Sequence, residues 1–495
     1  MNTKTESSSL PNIVFLVLDT ARARNLSCYN HSRNTTPNID QVAEEGVLYE
    51  SAISVSPWTL PSHASLFTGV PPAVHRTNSL GSQLPDRLIT LAEFLNEYGY
   101  DTVGMSGNPW ISSQFGLTRG FNEFHHLSVP FGGDSYREFG NIVADGSRSI
   151  IERIHTLFMT QNVPTLFKNF LNAAYRQIVE QPDEGAKRAV QHAKSVANRE
   201  EPYFLFINFL EPHLPYEPPD DYEMKFMSDS ISENQVAGVS QNARDYNVRN
   251  VGMTDENFDI LERLYDAEIK YVDNQIGRLL DHIDTVSDRE ETMVFILSDH
   301  GENIGDHGLM SHNYSVHETL SHVPLIVRYP SVFENGFQVK SRVSSLDIPA
   351  TIASLLAEGS DDFFHTQQTG TSLTESRTDR TIVSEYLNPV PPIKRMKEIC
   401  TNPDFDVEKY DRTLRAVYDK DFKLIRGSDG TRELYDVKSD PDERKDLTEE
   451  KPQIAARLDD ELTSWVQEYE TPNNINSETG IGKYVEDQLQ ELGYL

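Results

Sequence analysis

The chain has 495 residues, of which 37% are hydrophobic and 9% aromatic, so it holds enough apolar material for a large core and is not a disordered chain. Asp and Glu outnumber Lys and Arg by 77 to 44, giving a formal charge of −33. This charge repels polyanions and excludes nucleic acid and anionic lipid surfaces as expected partners.

The same acidity repels an anionic substrate, so an active site for one needs local positive charge, for which a metal ion is the obvious source. It also suits a protein that stays soluble in concentrated salt, and we expect a halophilic source. The two cysteines, Cys28 and Cys400, predict neither a disulfide framework nor a cysteine metal site. The first apolar run, Ile13 to Leu18, is too short for a signal peptide or a membrane helix, so we expect a cytoplasmic protein without a membrane span.

Strand-like and helix-like segments alternate along the first 375 residues. The predicted strands are Ile13 to Leu18, Thr102 to Met105, Tyr203 to Phe209, Met293 to Leu297 and Val323 to Tyr329. The predicted helices are Pro37 to Glu45, Thr59 to Phe67, Leu91 to Tyr98, Asp183 to Ala197 and Asn257 to Ile283. Alternation of this kind predicts an α/β domain, residues 1–375, with a mainly parallel sheet sandwiched by helices. Residues from about 130 to 182 have patchy helical character without a motif and are treated as an insertion.

Beyond a polar stretch near residues 357–372, the pattern changes to short strands without long helices between them. These strands are Ile382 to Glu385, Leu414 to Tyr418, Phe422 to Ile425 and Glu433 to Val437, and a final helix follows them. The change predicts a small C-terminal α+β subdomain, residues 376–495, built on an antiparallel sheet.

Two of the apolar strands end in an aspartate. Asp19 follows the first strand, and Asp299, with His300 next, follows the strand at 293–297. Ligands of open α/β sheets bind beyond the carboxyl ends of the strands, where parallel strands would bring both carboxylates to one edge. Two carboxylates in one place need a cation, and an Asp-Asp-His set suits a hard or borderline divalent metal.

Three further segments hold candidate site residues. Thr59 places a hydroxyl at a helix N-terminus, where free N–H groups favour an oxyanion, although threonine there is also an ordinary capping residue. His213 lies between two prolines just after the strand at 203–209, and His312 precedes a polar turn and a buried strand. Five of the fifteen histidines fall within residues 300–322, and His317 and His322 among them favour a structural role.

Taken in order, these pieces resemble the sulfatase family of the alkaline phosphatase superfamily. The matching segments are LDTAR at 18–22, TLPSHASLFTG at 59–69, EPHLPY at 211–216, YDAEIKYVDNQIGRLL at 265–280, SDHGENIGDHG at 298–308, HVPLIVRYP at 322–330, ELYDVKSDPDE at 433–443 and the closing LGYL. They span nearly the whole chain. The resemblance implies that Asp19, Asp299 and His300 bind a divalent metal, and that Thr59 is both nucleophile and metal ligand. It also implies that His213 and His312 contact the bound anion or the leaving group.

The chain departs from the usual sulfatase pattern at the nucleophile. Typical members carry Cys or Ser in a Cys-x-Pro-x-Arg pattern that is oxidised to formylglycine, whereas this chain has Thr59 and, in place of the arginine, His63. Oxidised threonine would be a ketone, so no formylglycine is expected. The usual Lys-Trp-His patch is replaced by residues around Asn108, and the second aspartate after the first strand is Thr20. Among Ca, Mn, Zn and Mg the metal stays open, with calcium weakened.

The Thr59 segment also resembles nucleotide pyrophosphatase/phosphodiesterases, which use an unmodified threonine. In that case His63 contacts the substrate, and Asn78 or Asn108 supplies an oxyanion donor. We therefore expect a metal-dependent hydrolase of small-molecule, glycan-linked or lipid-linked anionic esters, sulfate or more readily phosphate mono- or diesters. The alternatives are a transferase that passes the group to an acceptor alcohol, and a catalytically silent family member.

Overall fold

The computed structural model describes residues 10–78, 83–127, 185–356, 362–375, 380–470 and residue 489. Its strands are β1 Asn12–Leu18, β2 Val47–Tyr49, β3 Ala52–Ile53, β4 Asp101–Ser106, β5 Glu123–His126, β6 Tyr203–Phe209, β7 Thr292–Ser298, β8 Asn303–Ile304, β9 Met310–Ser311, β10 His322–Val323, β11 Leu325–Arg328, β12 Phe337–Val339, β13 Val343–Ser344, β14 Ile382–Tyr386, β15 Leu414–Asp419, β16 Phe422–Gly427 and β17 Arg432–Asp436. Its α-helices are α1 Pro37–Glu44, α2 Thr59–Thr68, α3 Pro72–His75, α4 Leu91–Glu97, α5 Ala186–Ala197, α6 Asp220–Glu223, α7 Glu233–Ala237, α8 Ala243–Asn247, α9 Asp255–Val286, α10 Glu318–Ser321, α11 Asp347–Leu356, α12 Phe363–Gln367, α13 Ile393–Ile399 and α14 Pro452–Tyr469.

Eight strands form the main sheet, in the order β12-β2-β11-β7-β1-β6-β4-β5. Strand β1 lies between β6 and β7 and is parallel to both, and β4 continues the parallel pairing with β6 and β5. Strand β11 is antiparallel to both of its neighbours. The predicted α/β architecture around a mainly parallel sheet is therefore confirmed.

The two faces of β1 belong to two different parts of the core. The odd-numbered residues from Ile13 to Val17 pack in one cluster with side chains of α2 and α4, and the even-numbered residues from Val14 to Leu18 pack in another with α1, α5 and α9. Burial on both faces explains why this strand has no alternation of polar and apolar residues. Full burial of each such side chain stabilises the fold by about 1.5–3 kcal/mol.

A separate antiparallel sheet, in the order β14-β15-β16-β17, carries the C-terminal part of the chain, and α14 packs on it through Ala455, Leu458 and Leu462. The small C-terminal antiparallel sheet is thus confirmed, whereas the domain boundary between residues 375 and 376 stays a prediction. The expected insertion at about 130–182 lies outside the described residues.

One predicted strand, Val323 to Tyr329, is divided in the structure. Pro324 separates β10, which pairs with β3 in a small sheet, from β11, which pairs with β7 in the main sheet. Proline has no N–H for a ladder hydrogen bond, so the strand changes partner there. Among the described helices, none combines the length and the apolar composition needed to cross a bilayer.

Candidate active site and metal centre

Asp19 and Asp299 lie side by side at the carboxyl edge of the main sheet. Leu18 and Ser298, the last residues of β1 and β7, are paired in register, so the residue after each strand leaves the sheet at the same level. The backbone N–H of Asp19 donates to the Phe209 carbonyl at 2.9 Å, which ties this edge to the end of β6 as well. Both aspartates are buried. The topology therefore brings together two carboxylates that are 280 positions apart in the chain.

Each carboxylate has one oxygen held by donors and one oxygen turned inward. Asp19 Oδ2 accepts from the amides of Asn108 at 2.9 Å and Asn208 at 3.2 Å. Asp299 Oδ1 accepts from the backbone N–H groups of Thr20 at 3.3 Å and His300 at 2.9 Å. Asp19 Oδ1 and Asp299 Oδ2 have no hydrogen-bond partner among the described residues. They are the oxygens that face the imidazole of His300, at 3.8 and 3.3 Å from Nε2.

The ring of His300 is oriented by its other nitrogen. Nδ1 lies 2.9 Å from the Gly301 carbonyl, which can only accept, so Nδ1 carries the proton and Nε2 of the neutral ring presents a lone pair. Burial lowers the pKa of His300 well below its usual range, and the nearby His312 adds to the effect. A neutral imidazole with one nitrogen bonded to a carbonyl is the common arrangement of a metal-ligating histidine.

The three side chains fit a divalent cation. Ligand atoms of Asp19, Asp299 and His300 lie within 4.8 Å of one another. Burial raises the pKa of Asp19 to about 7, and burial together with Asp19 raises the pKa of Asp299 well above its usual range. Two carboxylate oxygens and an imidazole lone pair that face one another out of water repel, unless a cation lies between them. An O,O,N donor set suits Zn²⁺, Mn²⁺ and related divalent ions.

Thr59 lies against this group at the first residue of α2. Its hydroxyl oxygen is 3.3 Å from His300 Nε2 and accepts a hydrogen bond from the Asn108 amide, also at 3.3 Å. The two tryptophans next to these residues, Trp58 and Trp110, are buried and pack edge to face, with ring centroids 5.4 Å apart. Their contact fixes the start of α2 against the loop that follows β4, so a hydroxyl, three possible ligands and a helix N-terminus share one place.

His63 lies one turn further along α2 and is fully buried. Its Nδ1 lies 3.0 Å from the Thr59 carbonyl and 3.4 Å from Asp299 Oδ2, and its ring packs against Phe67 and Phe206. Burial lowers the pKa of His63 to about 4. The described contacts thus place it beneath Thr59 rather than in an open cleft, and the expected contact with substrate stays a prediction.

His213 and His312 lie on the other side of His300. The rings of His312 and His300 are 4.5 Å apart, and those of His213 and His312 are 5.2 Å apart. His213 Nδ1 donates to the Leu214 carbonyl at 2.6 Å, and His312 Nδ1 lies 3.4 Å from a carboxylate oxygen of buried Glu302. Burial lowers the pKa of His312 to about 3, and burial together with His312 lowers the pKa of His213 to about 4. The structure therefore places His213 and His312 beside His300, the histidine that faces the carboxylates of Asp19 and Asp299.

The two asparagines proposed from the sequence have different positions. Asn108 joins the site by donating to both Asp19 and Thr59, as described above. Asn78 is half-buried, and its amide donates to the Arg76 carbonyl at 3.2 Å, so this bond is local and its role as an oxyanion donor stays a prediction. Asn208, which the sequence analysis did not select, contacts Asp19. It is the single polar residue of the otherwise apolar or aromatic strand β6. That exception in the sequence could have identified Asn208 as a candidate site residue.

A second group of possible ligands, His307, His317 and Glu443, lies outside this site. The two imidazole rings are stacked with centroids 3.6 Å apart, and the Lys423 ammonium lies 2.8 Å from Glu443. Lysine already supplies a cation to that carboxylate. This group fits the structural role expected for His317.

Comparisons with known proteins show the family to which the chain belongs. A model of the Sulfatase family matches residues 11–358, well over half of the chain. The uncharacterized sulfatase YidJ of Escherichia coli is 25% identical over 481 residues, which cover 93% of this chain and 88% of the relative. Iduronate 2-sulfatase of Homo sapiens is 25% identical over 345 residues, which cover 64% of this chain and 60% of the relative.

Solved structures share the fold. A phosphonate monoester hydrolase of Agrobacterium radiobacter superposes with a TM-score of 0.67 at 20% identity, covering 93% of this chain and 96% of the other. A sulfatase-like protein of Bacteroides thetaiotaomicron superposes with a TM-score of 0.63 at 19% identity, covering 93% and 92%. The chain belongs to the sulfatase family of the alkaline phosphatase superfamily and is an ester hydrolase.

Proposed function

We propose that this chain hydrolyses phosphate esters with a divalent metal, through a covalent intermediate on unmodified Thr59. The observation that carries the proposal is the place of the Thr59 hydroxyl, 3.3 Å from His300 Nε2 and at the start of α2. When bound by Asp19, Asp299 and His300, a divalent cation would lower the pKa of a neighbouring hydroxyl and offset negative charge on the transferred group.

In the first step, Thr59 attacks phosphorus, Asn108 orients the Thr59 hydroxyl, and helix α2 stabilises the developing charge. Asn108 holds Thr59 Oγ through its amide N–H, so the oxygen keeps a fixed direction for in-line attack. The new bond forms between Thr59 Oγ and phosphorus as the bond to the leaving oxygen breaks. The positive end of the α2 dipole lies at Thr59 and stabilises the negative charge that develops on the transferred group.

The leaving oxygen and the second step need a proton donor and a water molecule. His213 and His312 lie together beside His300, and burial lowers the pKa of both, so the rings are neutral at rest. Either ring can take the proton that Thr59 Oγ loses and pass it to the leaving oxygen. Water then attacks phosphorus and releases phosphate or a phosphate monoester from Thr59. The same histidine takes a proton from that water and passes it to Thr59 Oγ, so the hydroxyl is restored and the enzyme returns to its starting state.

Phosphorus is favoured over sulfur by the identity of residue 59. Formylglycine enzymes release sulfate by elimination through the hydrate, which has a second hydroxyl on the carbon that bears the ester. Threonine has a methyl group in that position, so a Thr59 sulfate has no such route. A Thr59 phosphate is cleaved by attack of water at phosphorus, which needs no second hydroxyl.

The test compares three chromogenic esters with each of Mn²⁺, Zn²⁺, Ca²⁺ and Mg²⁺. The substrates are p-nitrophenyl phosphate, bis(p-nitrophenyl) phosphate and p-nitrophenyl sulfate. We expect kcat/KM for one or both phosphate esters to exceed that for the sulfate, and Thr59→Ala to lower it by more than about 10³-fold. Thr59→Ser keeps the hydroxyl and serves as the matched control, with partial activity expected. Robust turnover of the sulfate with negligible turnover of both phosphates would contradict the proposal.

A further inference from the structure

Asn208 is the single polar residue of strand β6, whose other residues are apolar or aromatic. Strand β6 reads YFLFINF, and all seven residues are buried. An amide taken out of water costs free energy unless its donors and its acceptor are bonded. The other side chains of β6 are aliphatic or aromatic, so packing within the strand gives no reason for an amide at this position.

The amide nitrogen and the amide oxygen of Asn208 each form a hydrogen bond, the nitrogen with a proposed metal ligand and the oxygen with a serine on the neighbouring strand. The amide nitrogen donates to Asp19 Oδ2 at 3.2 Å. The amide oxygen accepts from the Ser106 hydroxyl at 2.8 Å. Ser106 is the register partner of Asn208 on β4. The carboxylate oxygen accepts and the serine hydroxyl can donate, so the amide presents its nitrogen to Asp19 and its oxygen to Ser106.

This arrangement decides which oxygen of Asp19 faces the centre. Oδ2 is held by Asn208 from β6 and by Asn108 from the loop after β4. Oδ1 is left without a hydrogen-bond partner among the described residues and faces His300 Nε2. Ser106 supports the second amide as well, since its hydroxyl oxygen accepts from the Asn108 backbone N–H at 2.9 Å.

We propose that Asn208 is a positioning residue that acts through Asp19, aided by Ser106, and sets the carboxylate for binding of a divalent cation. The inference rests on the metal centre of the proposed function. A loss of metal affinity with little change in Tm separates such a residue from one that serves the sheet alone. Side chains that hydrogen-bond to metal ligands typically raise the metal affinity by about 10- to 100-fold.

The experiment measures two properties of Asn208→Leu, a substitution that keeps the branch at Cγ and removes both hydrogen bonds of the amide. Mn²⁺ affinity is determined by calorimetric titration of the metal-free protein, and Tm is measured on the same metal-free samples. We expect the dissociation constant to rise by about 10- to 100-fold. We expect the Tm of the metal-free protein to change little, because burial of an apolar side chain offsets the loss of two hydrogen bonds.

Two further variants make the result specific. Thr102→Val is the matched control, because Thr102 is buried in β4 and donates to the Gly120 carbonyl at 2.7 Å, away from the metal centre. It should lower Tm and leave Mn²⁺ affinity unchanged. Ser106→Ala removes the bond that orients the Asn208 amide and should weaken Mn²⁺ binding by less than Asn208→Leu does. If Asn208→Leu does not fold, Ser106→Ala still tests the arrangement.

The outcomes separate this inference from the proposed function. Wild-type affinity for Mn²⁺ in Asn208→Leu, or in Ser106→Ala where the first variant does not fold, would overturn the role of Asn208 and leave the metal centre intact. Absence of binding of Mn²⁺ and Zn²⁺ to the wild-type protein would instead refute the metal centre, and the inference with it.

Discussion

The side-chain amide of Asn108 donates a hydrogen bond to the hydroxyl oxygen of Thr59 at 3.3 Å, and the same amide donates to Asp19 at 2.9 Å. One side chain therefore connects the proposed nucleophile to a proposed metal ligand. Its own backbone N–H is held by Ser106, and its amide oxygen accepts from the Trp110 backbone N–H at 3.1 Å, so the amide has little freedom to turn. The bonds that fix Asn108 in turn fix the direction of Thr59 Oγ.

Replacement of Asn108 by alanine should therefore lower kcat more than it raises KM. The donor that orients the Thr59 hydroxyl is lost, and we expect kcat to fall by about 10- to 100-fold, as for other partners of metal-site residues. Steady-state kinetics with the better phosphate ester measures both constants. Ser112→Ala is the control, because Ser112 is buried in the same loop and donates to the Pro109 carbonyl at 2.9 Å. Equal kcat values for Asn108→Ala and the wild type would show that Asn108 does not orient the nucleophile.

Asp299→Asn should have opposite effects on the metal-free and the metal-bound protein. In the metal-free fold, burial raises the pKa of both Asp19 and Asp299, so at pH 7 the ionised carboxylates reduce the free energy of unfolding. Asparagine keeps the acceptor for the N–H groups of Thr20 and His300 and removes one charge. We expect the metal-free variant to be more stable than metal-free wild type by about 1–3 kcal/mol.

Addition of metal should then reverse the order. A ligand at 100 times its dissociation constant stabilises the protein that binds it by about 2.7 kcal/mol. Wild type should gain this amount with saturating Zn²⁺ or Mn²⁺, and Asp299→Asn should gain none. Urea unfolding with and without chelator measures both effects, and activity should vanish with chelator. Full turnover after exhaustive chelation would show that the reaction needs no metal.

Acid should weaken the fold in part through Asp306. Burial alone would raise the pKa of this carboxyl, but the guanidinium groups of Arg22 at 3.2 Å and Arg24 at 2.7 Å lower it below its ordinary value. A lowered pKa in the folded state means stability that is present above the unfolded value of about 4 and lost as pH falls below it. The contribution should therefore be complete at pH 6 and should decline below about pH 4.

The measurement is the free energy of unfolding at pH 6 and at pH 3.5 for wild type and Asp306→Asn. The variant leaves the buried Arg22 with less compensation and should be less stable at pH 6 by about 3 kcal/mol. The difference in free energy of unfolding between wild type and Asp306→Asn should be smaller at pH 3.5 than at pH 6. Asp86→Asn, in an exposed pair with Arg119, is the control and should change neither value by more than about 0.5 kcal/mol. A difference that does not depend on pH would show that Asp306 is not the titrating group.

The parts of the site that follow strands could be predicted from the sequence. Asp19 and Asp299 end two continuous apolar runs, and parallel neighbours in a sheet end at one edge, so their meeting follows from topology alone. Thr59 could be placed at a helix start for the same kind of local reason, and the structure begins α2 at that residue. The resemblance to a family added the roles, which local pattern alone does not give.

Other features depend on contacts that no local pattern encodes. The burial of His63 against Phe67 and Phe206 comes from the packing of α2 on the sheet, which the local sequence around His63 does not show. The bond from Asn208 to Asp19 depends on the order of β4, β6 and β1 in the sheet. A strand buried on both faces also lacks the alternation that would have shown which way Asn208 points.

Mass spectrometry of the peptide that contains Thr59 shows whether the unmodified threonine carries the transferred group. Protein at rest and protein quenched in acid during turnover of a phosphate ester are digested and compared, with Thr59→Ala as the control. We predict an unmodified threonine at rest and a phosphorylated Thr59 during turnover, absent from the variant. An oxidised residue 59 at rest, or undiminished turnover by Thr59→Ala with no adduct in wild type, would contradict the account.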